Sequence, residues 1–182
     1  MTQTKRLIFA ALCVAMGVAL PLAFHSIPNA GGIFLPMHIP VLLCGLLCGW
    51  PYGLACGALA PLLSSLLTGM PPAAVLPGML FELCVYGLST GILVKRINTG
   101  KRLADLYVSL ILAMLLGRMT YGLLNALIFK AGAYSLKIWL TTAFVTGLPG
   151  ILIQLALIPP LLRGLEKAGI AGTAAGKRGE TH

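Results

Sequence analysis

Residues 34–72 read FLPMHIPVLLCGLLCGWPYGLACGALAPLLSSLLTGMPP. This stretch carries most of two apolar runs, Ile33–Gly49 and Tyr52–Leu67, joined by the turn GWPY, and Pro36, Pro40, Pro51 and Pro61 lie in or beside them. A bilayer core of about 30 Å needs roughly 20 apolar residues per helix, so both runs are short for a span. Irregular backbone at membrane depth is tolerated only where protein or a cavity surrounds it. This part of the chain is therefore expected to line something. Glycine recurs every fourth residue at Gly45, Gly49, Gly53 and Gly57. Pro51 ends one helix and the glycines let the next fold back tightly, which predicts a close hairpin of these two spans.

Four further apolar runs flank the hairpin: Leu7–Phe24, Ala73–Val94, Leu103–Phe129 and Ile138–Leu162. Lys5 and Arg6 ahead of the first run also match the start of a secretory signal peptide, but the strong runs that follow argue for a retained first helix. The reading is an all-α integral membrane protein with six transmembrane helices. Residues 1–165 form one transmembrane domain, and the Gly/Ala-rich residues 166–182 form a flexible cytoplasmic tail. Composition agrees: of 182 residues 58% are hydrophobic and 9% charged, whereas a soluble domain carries roughly 25% charged residues. A water-soluble monomer is excluded.

The charges are lopsided, with Lys+Arg 13 against Asp+Glu 4. Six spans put both termini on one side of the membrane. That side holds Lys5, Arg6, Lys95, Arg96, Lys101, Arg102, Arg163, Lys167, Lys177 and Arg178, while the other holds Lys130 and Lys137. By the positive-inside pattern both termini are cytoplasmic, in a cell membrane. Short basic clusters at helix ends also account for the net charge without nucleic acid. The five cysteines, Cys13, Cys44, Cys48, Cys56 and Cys84, sit in apolar stretches with no histidine at metal-ligand spacing. Buried, lipid-compatible thiols are their commoner use, so neither metal nor cofactor is expected.

Glu82 and Arg118 are the only ionisable acid and base deep in the expected spans. A charge at the bilayer centre costs at least ~2.5–3.5 kcal/mol on insertion scales and marks function or a buried pair. Counted from the outer ends of their spans, both lie roughly 13–17 Å below the outer surface at 1.5 Å rise per residue. They can face each other or one ligand. Arg118, Tyr121 and Asn125 share one helix face at i, i+3 and i+7, and Tyr86 lies one turn below Glu82. The last span offers Trp139, Thr142 and Thr146 on one side of its outer half. A few fixed polar groups with aromatic walls is how small molecules are usually bound; the alternative is an ion pair that only holds the helices in register. The first external loop, HSIPNAGGIFLPMHIP, is apolar, carries His25, Asn29 and His38, and has Gly31–Gly32 as a hinge for a lid. His38, which begins a helix, is the stronger ligand candidate of the two histidines.

In the first span Ala11, Ala15 and Ala19 make a flat stripe on one face. Such a face lets helices approach closely in lipid, and ordinary intramolecular packing satisfies it as well as a partner does. The sequence has one aspartate, Asp105, no GxxxxGK[ST] phosphate loop and no HExxH motif. An intramembrane aspartate dyad is impossible, any ATP hydrolysis must come from a partner, and no enzyme is expected.

The size, the six-helix layout, the alanine stripe and the 34–72 stretch together resemble the substrate-binding S components of energy-coupling factor (ECF) transporters, the vitamin uptake systems of bacteria and archaea. The resemblance spans about residues 5–165. It implies that Ala11, Ala15 and Ala19 dock onto a transmembrane coupling subunit driven by two cytoplasmic ATPases. It also implies that the vitamin binds near the outer surface, under the first external loop, and that the loaded subunit topples to deliver it. The site residues would be His38, Glu82, Tyr86, Arg118, Tyr121, Asn125, Trp139, Thr142 and Thr146. Arg118 suits a carboxylate, as in niacin or pantothenate, and Glu82 an amino-bearing or protonated ring, as in pyridoxine-like or pyrimidine compounds. With both present and no dense aromatic cage, a niacin-like or pyridine/pyrimidine compound ranks ahead of pantothenate or a deazapurine precursor. The competing reading is a non-transporting membrane scaffold or assembly subunit with a structural Glu82–Arg118 pair.

Overall fold

The computed structural model describes residues 1–23, 30–129 and 135–169. In chain order the helices are α1 (Gln3–Ala23), α2 (Ala30–Phe34), α3 (His38–Cys48), α4 (Trp50–Thr68), α5 (Leu76–Arg96), α6 (Arg102–Leu124), α7 (Leu136–Leu140) and α8 (Leu148–Lys167). A π-helical turn, Asn125–Phe129, extends α6, and a second, Thr141–Thr146, extends α7. No strand occurs among the described residues. Six stretches are long and apolar enough to cross a membrane: Gln3–Ala23, Gly31–Cys48, Trp50–Thr68, Leu76–Arg96, Arg102–Phe129 and Leu148–Lys167. The protein is an all-α, multi-pass membrane protein with six spans.

The sequence expectation of one continuous last span, Ile138–Leu162, differs from the observed element. Leu136–Thr146 is a separate short apolar segment, and the long helix starts only at Leu148. Pro149 sits in the first turn of α8, where its missing N–H costs nothing, whereas it would break the ladder of a helix running through.

Backbone punctuation sets the other ends. Gly49, at φ +96°, closes α3 with its N–H on the Gly45 carbonyl at 3.1 Å, and Pro51 starts α4. Gly69, at φ +72°, closes α4 through the Ser65 carbonyl at 2.9 Å. Both positive φ values are conformations a side chain disfavours. Before α6, Asp105 accepts from the backbone N–H and the hydroxyl of Thr99, each at 2.7 Å, fixing the entry to the helix.

The glycine ladder does more than close a hairpin. Gly53 does sit against Gly45, as the hairpin requires, but a Cβ on Gly45 or Gly53 would also strike the Gly87 carbonyl oxygen of α5. A Cβ on Gly57 would strike the Leu83 carbonyl, and one on Gly87 the Gly53 carbonyl. Three helix backbones therefore meet where only glycine fits, with α5 wedged against both arms of the α3–α4 pair. Close approach of this kind drives helix association in lipid, where the hydrophobic effect does not. The first helix joins the bundle through Ala10, Cys13 and Gly17, with Gly17 seated against Ala60 and Pro40.

The ends of the bundle differ in charge. One end gathers the start of α1, the Gly49 turn with Lys95 beside it, and the Arg102–Glu166 ion pair between the start of α6 and the end of α8. Arg6, Lys95, Arg96, Lys101 and Arg163 belong to elements that begin or finish there. Lys137 precedes the other end of the last span, and Lys130, Lys177 and Arg178 lie outside the described residues. Most of the expected tail, residues 170–182, also lies outside them, and α8 continues through Lys167.

Candidate functional site

At the end opposite the basic cluster the bundle opens into a cavity of about 420 Å³. Its floor is built on Glu82, which is 3% exposed. A single carboxylate oxygen, Oε1, draws three groups: the Tyr86 hydroxyl donates to it at 3.1 Å, Arg118 Nη1 pairs with it at 3.2 Å, and His38 Nε2 stands 3.7 Å away. The four residues come from three helices, with His38 on α3, Glu82 and Tyr86 on α5, and Arg118 on α6.

Local structure explains each placement. Glu82 and Tyr86 lie four residues apart on α5 and so share a face. The glycine contacts pack next to them: Gly57 meets the carbonyl of Leu83, the residue after Glu82, while Gly117 of α6 accommodates the Tyr86 ring. His38 is brought in by the turn between α2 and α3, where Leu35 adopts φ +50° and its carbonyl accepts from the His38 N–H at 3.1 Å. A left-handed leucine is strained backbone, and the packing that holds it is visible: Gly150 of α8 leaves room for the Leu35 side chain. The His38 ring then meets the Tyr86 ring edge-on at a centroid distance of 5.2 Å. On the far side, the Arg118 guanidinium rests against Gly147, at the break before α8. The broken last span thus shapes the seat of the arginine.

Of the residues singled out in the sequence, His38, Glu82, Arg118, Tyr121 and Thr142 line the cavity. Tyr86 lies just beneath, fully buried, on the underside of Glu82. Three others lie off the lining. Asn125 is 2% exposed but packs against Gly78, with its side-chain N–H on the Tyr121 carbonyl at 2.8 Å. It keeps the face of Tyr121, since both meet Gly78, but its side chain is taken up by that contact with α5 and lies off the cavity lining. Trp139 lies over Gly122 and donates its indole N–H to the Arg118 carbonyl at 3.0 Å, bracing α6 from behind. Thr146 is half-buried and outside the lining. His25 and Asn29 lie outside the described residues.

The remaining wall is apolar: Leu35, Pro36 and Met37 from the α2–α3 turn and Met70, Pro71 and Pro72 before α5 fall in the 34–72 stretch expected to line something, while Pro21 from α1 and Val75 and Met79 at the start of α5 lie outside it. The signal for them is the pair of irregular proline segments PMHIP and GMPP that flank the hairpin. Both ends of that hairpin contribute wall, as irregular backbone around a cavity does.

Along α1, Ala11, Ala15 and Ala19 are all exposed, while Ala10, Cys13 and Gly17 face the bundle. Among the described residues the alanine stripe is therefore unused by the chain's own packing. Chemically, the molecule combines a mostly apolar cavity, a charge-compensated polar floor and an uncovered small-residue face on a peripheral helix. Searches of curated proteins and of solved structures return no match to this chain. The model of one protein family, described as ECF transporter, substrate-specific component, matches residues 5–162. That match takes in four spans whole, most of the first and last, and both the cavity and the alanine face, and so the chain belongs to the family of substrate-specific components of ECF transporters.

Proposed function

We propose that this substrate-specific membrane subunit binds a small water-soluble vitamin or vitamin precursor, with niacin-like and pyridine or pyrimidine compounds the favoured class. The observation that carries the reading is the floor of the cavity, where His38, Glu82 and Arg118 meet beneath an apolar vestibule of about 420 Å³. A concave, mostly apolar site with a few convergent polar groups is the form that small-molecule sites take. The basic residues gather at the opposite end, so the positive-inside rule turns the cavity outward and leaves both termini in the cytoplasm.

Family membership implies association with the ECF coupling and ATPase subunits. The exposed face of Ala11, Ala15 and Ala19 is the docking surface in this reading. Delivery then consists of the loaded subunit turning against the coupling subunit, with ATP hydrolysis supplied by the partners, and with no chemistry done on the cargo. Purified chain in detergent or nanodiscs, challenged with a panel of water-soluble vitamins and nucleobases, should show a clear rise in thermal midpoint with at least one of them. A flat response across the whole panel would leave a structural scaffold as the better description.

A further inference from the structure

We infer that the cargo is an uncharged molecule that presents an N–H or O–H donor to Glu82 and carries an apolar body bulkier than one aromatic ring. The inference rests on the vitamin-binding reading and departs from the class favoured there, setting aside niacin-like carboxylates and single rings for a larger neutral cargo. Its first support is charge. Arg118, the obvious anion receptor, already pairs with Glu82 at 3.2 Å and lies against the Gly147 turn. The pair is 6% and 3% exposed, so little water is available to stabilise a third charge beside it. An entering carboxylate would set a second negative charge beside Glu82 with one guanidinium to compensate both, in surroundings that hold little water, which costs more than a neutral head group does.

The second support is hydrogen-bond geometry. Tyr86 donates to Oε1 of Glu82, Arg118 pairs with the same oxygen and His38 Nε2 lies beyond hydrogen-bond distance at 3.7 Å, and no described side chain donates to Oε2. An ionised carboxyl group accepts on both oxygens. Glu82 lines the cavity, so a cargo donor completes the acceptor capacity that the protein leaves open. The third support is size. An apolar cavity of about 150 Å³ holds a benzene-sized ring; this one, at about 420 Å³, is far larger. Met37, Met70 and Met79 line it together with Pro71 and Pro72, and thioether side chains mould themselves to an apolar body of irregular outline.

The test is affinity measured on the full chain in nanodiscs at neutral pH. The first probe set pairs nicotinate with nicotinamide and indole-3-carboxylate with indole-3-carboxamide; the second is the vitamin and nucleobase panel. The amide of each pair should bind at least about tenfold more tightly than its acid, and the two-ring amide more tightly than the one-ring amide. The best panel ligand should keep its affinity when any carboxylate it bears is converted to an amide. Glu82→Gln should weaken that ligand by about tenfold or more, while for an anionic ligand it would remove a like charge and strengthen binding. Thermal unfolding of the variant without ligand checks that it folds. Acids that match or exceed their amides, or a best ligand that is lost on amidation, overturn the inference while vitamin binding stands. No binding by any probe overturns the vitamin-binding reading, and this inference with it.

Discussion

Two ladders of small residues at the same fourfold spacing meet opposite fates in this bundle. Gly45, Gly53 and Gly57 disappear into a three-helix contact where a single added methyl group would strike the backbone of α5. Ala11, Ala15 and Ala19 lie uncovered on α1, a helix of which 11% is buried, against 72% of the span that carries Gly45. Periodicity announces a surface built for close approach. It does not say whether the approaching backbone belongs to the same chain. The difference lies in residue type and depth: glycine admits backbone against backbone, whereas alanine offers a flat face that lipid or a partner helix can cover.

Placing the same side chain on each ladder breaks the comparison most sharply. Gly53→Leu should prevent the α3–α4–α5 contact from forming. Overpacking alone costs about 1–3 kcal/mol or more, and here the clash is with backbone that has nowhere to move. Loss of monodisperse protein on size exclusion is the expected outcome. Ala15→Leu should leave the thermal midpoint and ligand affinity unchanged, because the new side chain projects away from the bundle. Yet it should abolish uptake in cells and co-purification with the coupling subunit. Equal loss of binding and uptake would mean that the alanine face packs inside the protein after all.

A similar contrast holds for buried polar groups, and it ranks next in size. Arg118 and Gln154 are 6% and 1% exposed, but the arginine pairs with Glu82 while the Gln154 amide has no hydrogen-bond partner among the described residues. Removing one member of a buried ion pair costs about 3–5 kcal/mol, because it leaves the other charge uncompensated. Arg118→Ala should therefore lower stability by that order and eliminate ligand binding. Gln154→Ala removes an amide that makes no bond, and affinity should stay within about threefold. A larger effect at Gln154, read by the same titration, would extend the site downward along α8.

Much of this architecture is legible in the sequence itself, for reasons that differ by residue. The six spans announce themselves because charge is scarce and clustered at their ends. Glu82 and Arg118 stand out by the same scarcity, since a charge at membrane depth must have a partner. His38 is legible from its place at the start of a helix. That residues 34–72 line something is legible from their prolines; which methionines and prolines do so is not, because these side chains read equally well as lipid-facing or as core. Nor is the partner of the glycine ladder, which depends on Gly87, 30 or more residues downstream of Gly53 and Gly57. Asn125 keeps its expected face beside Tyr121 but is spent on packing against Gly78 of α5, which helix spacing by itself does not reveal. The break at Gly147 has a signal in Pro149, outweighed by the apolar run around it.

The smallest effect is expected where glycine meets a large side chain in place of another backbone. Trp139 covers Gly122 and donates to the Arg118 carbonyl at 3.0 Å. Trp139→Phe keeps an aromatic ring for both Gly122 and the edge contact with Phe144, and removes only the indole N–H. A neutral hydrogen bond contributes about 1 kcal/mol net. The loss should be smaller still here, since a mid-helix carbonyl keeps its own partner in the next turn. A fall of about 2–4 °C in thermal midpoint is the upper bound for a chain of this size, with ligand affinity unchanged. If affinity instead fell tenfold while the midpoint held, Trp139 would touch the cargo itself. The cavity would then reach across α6 to the face that the indole now braces.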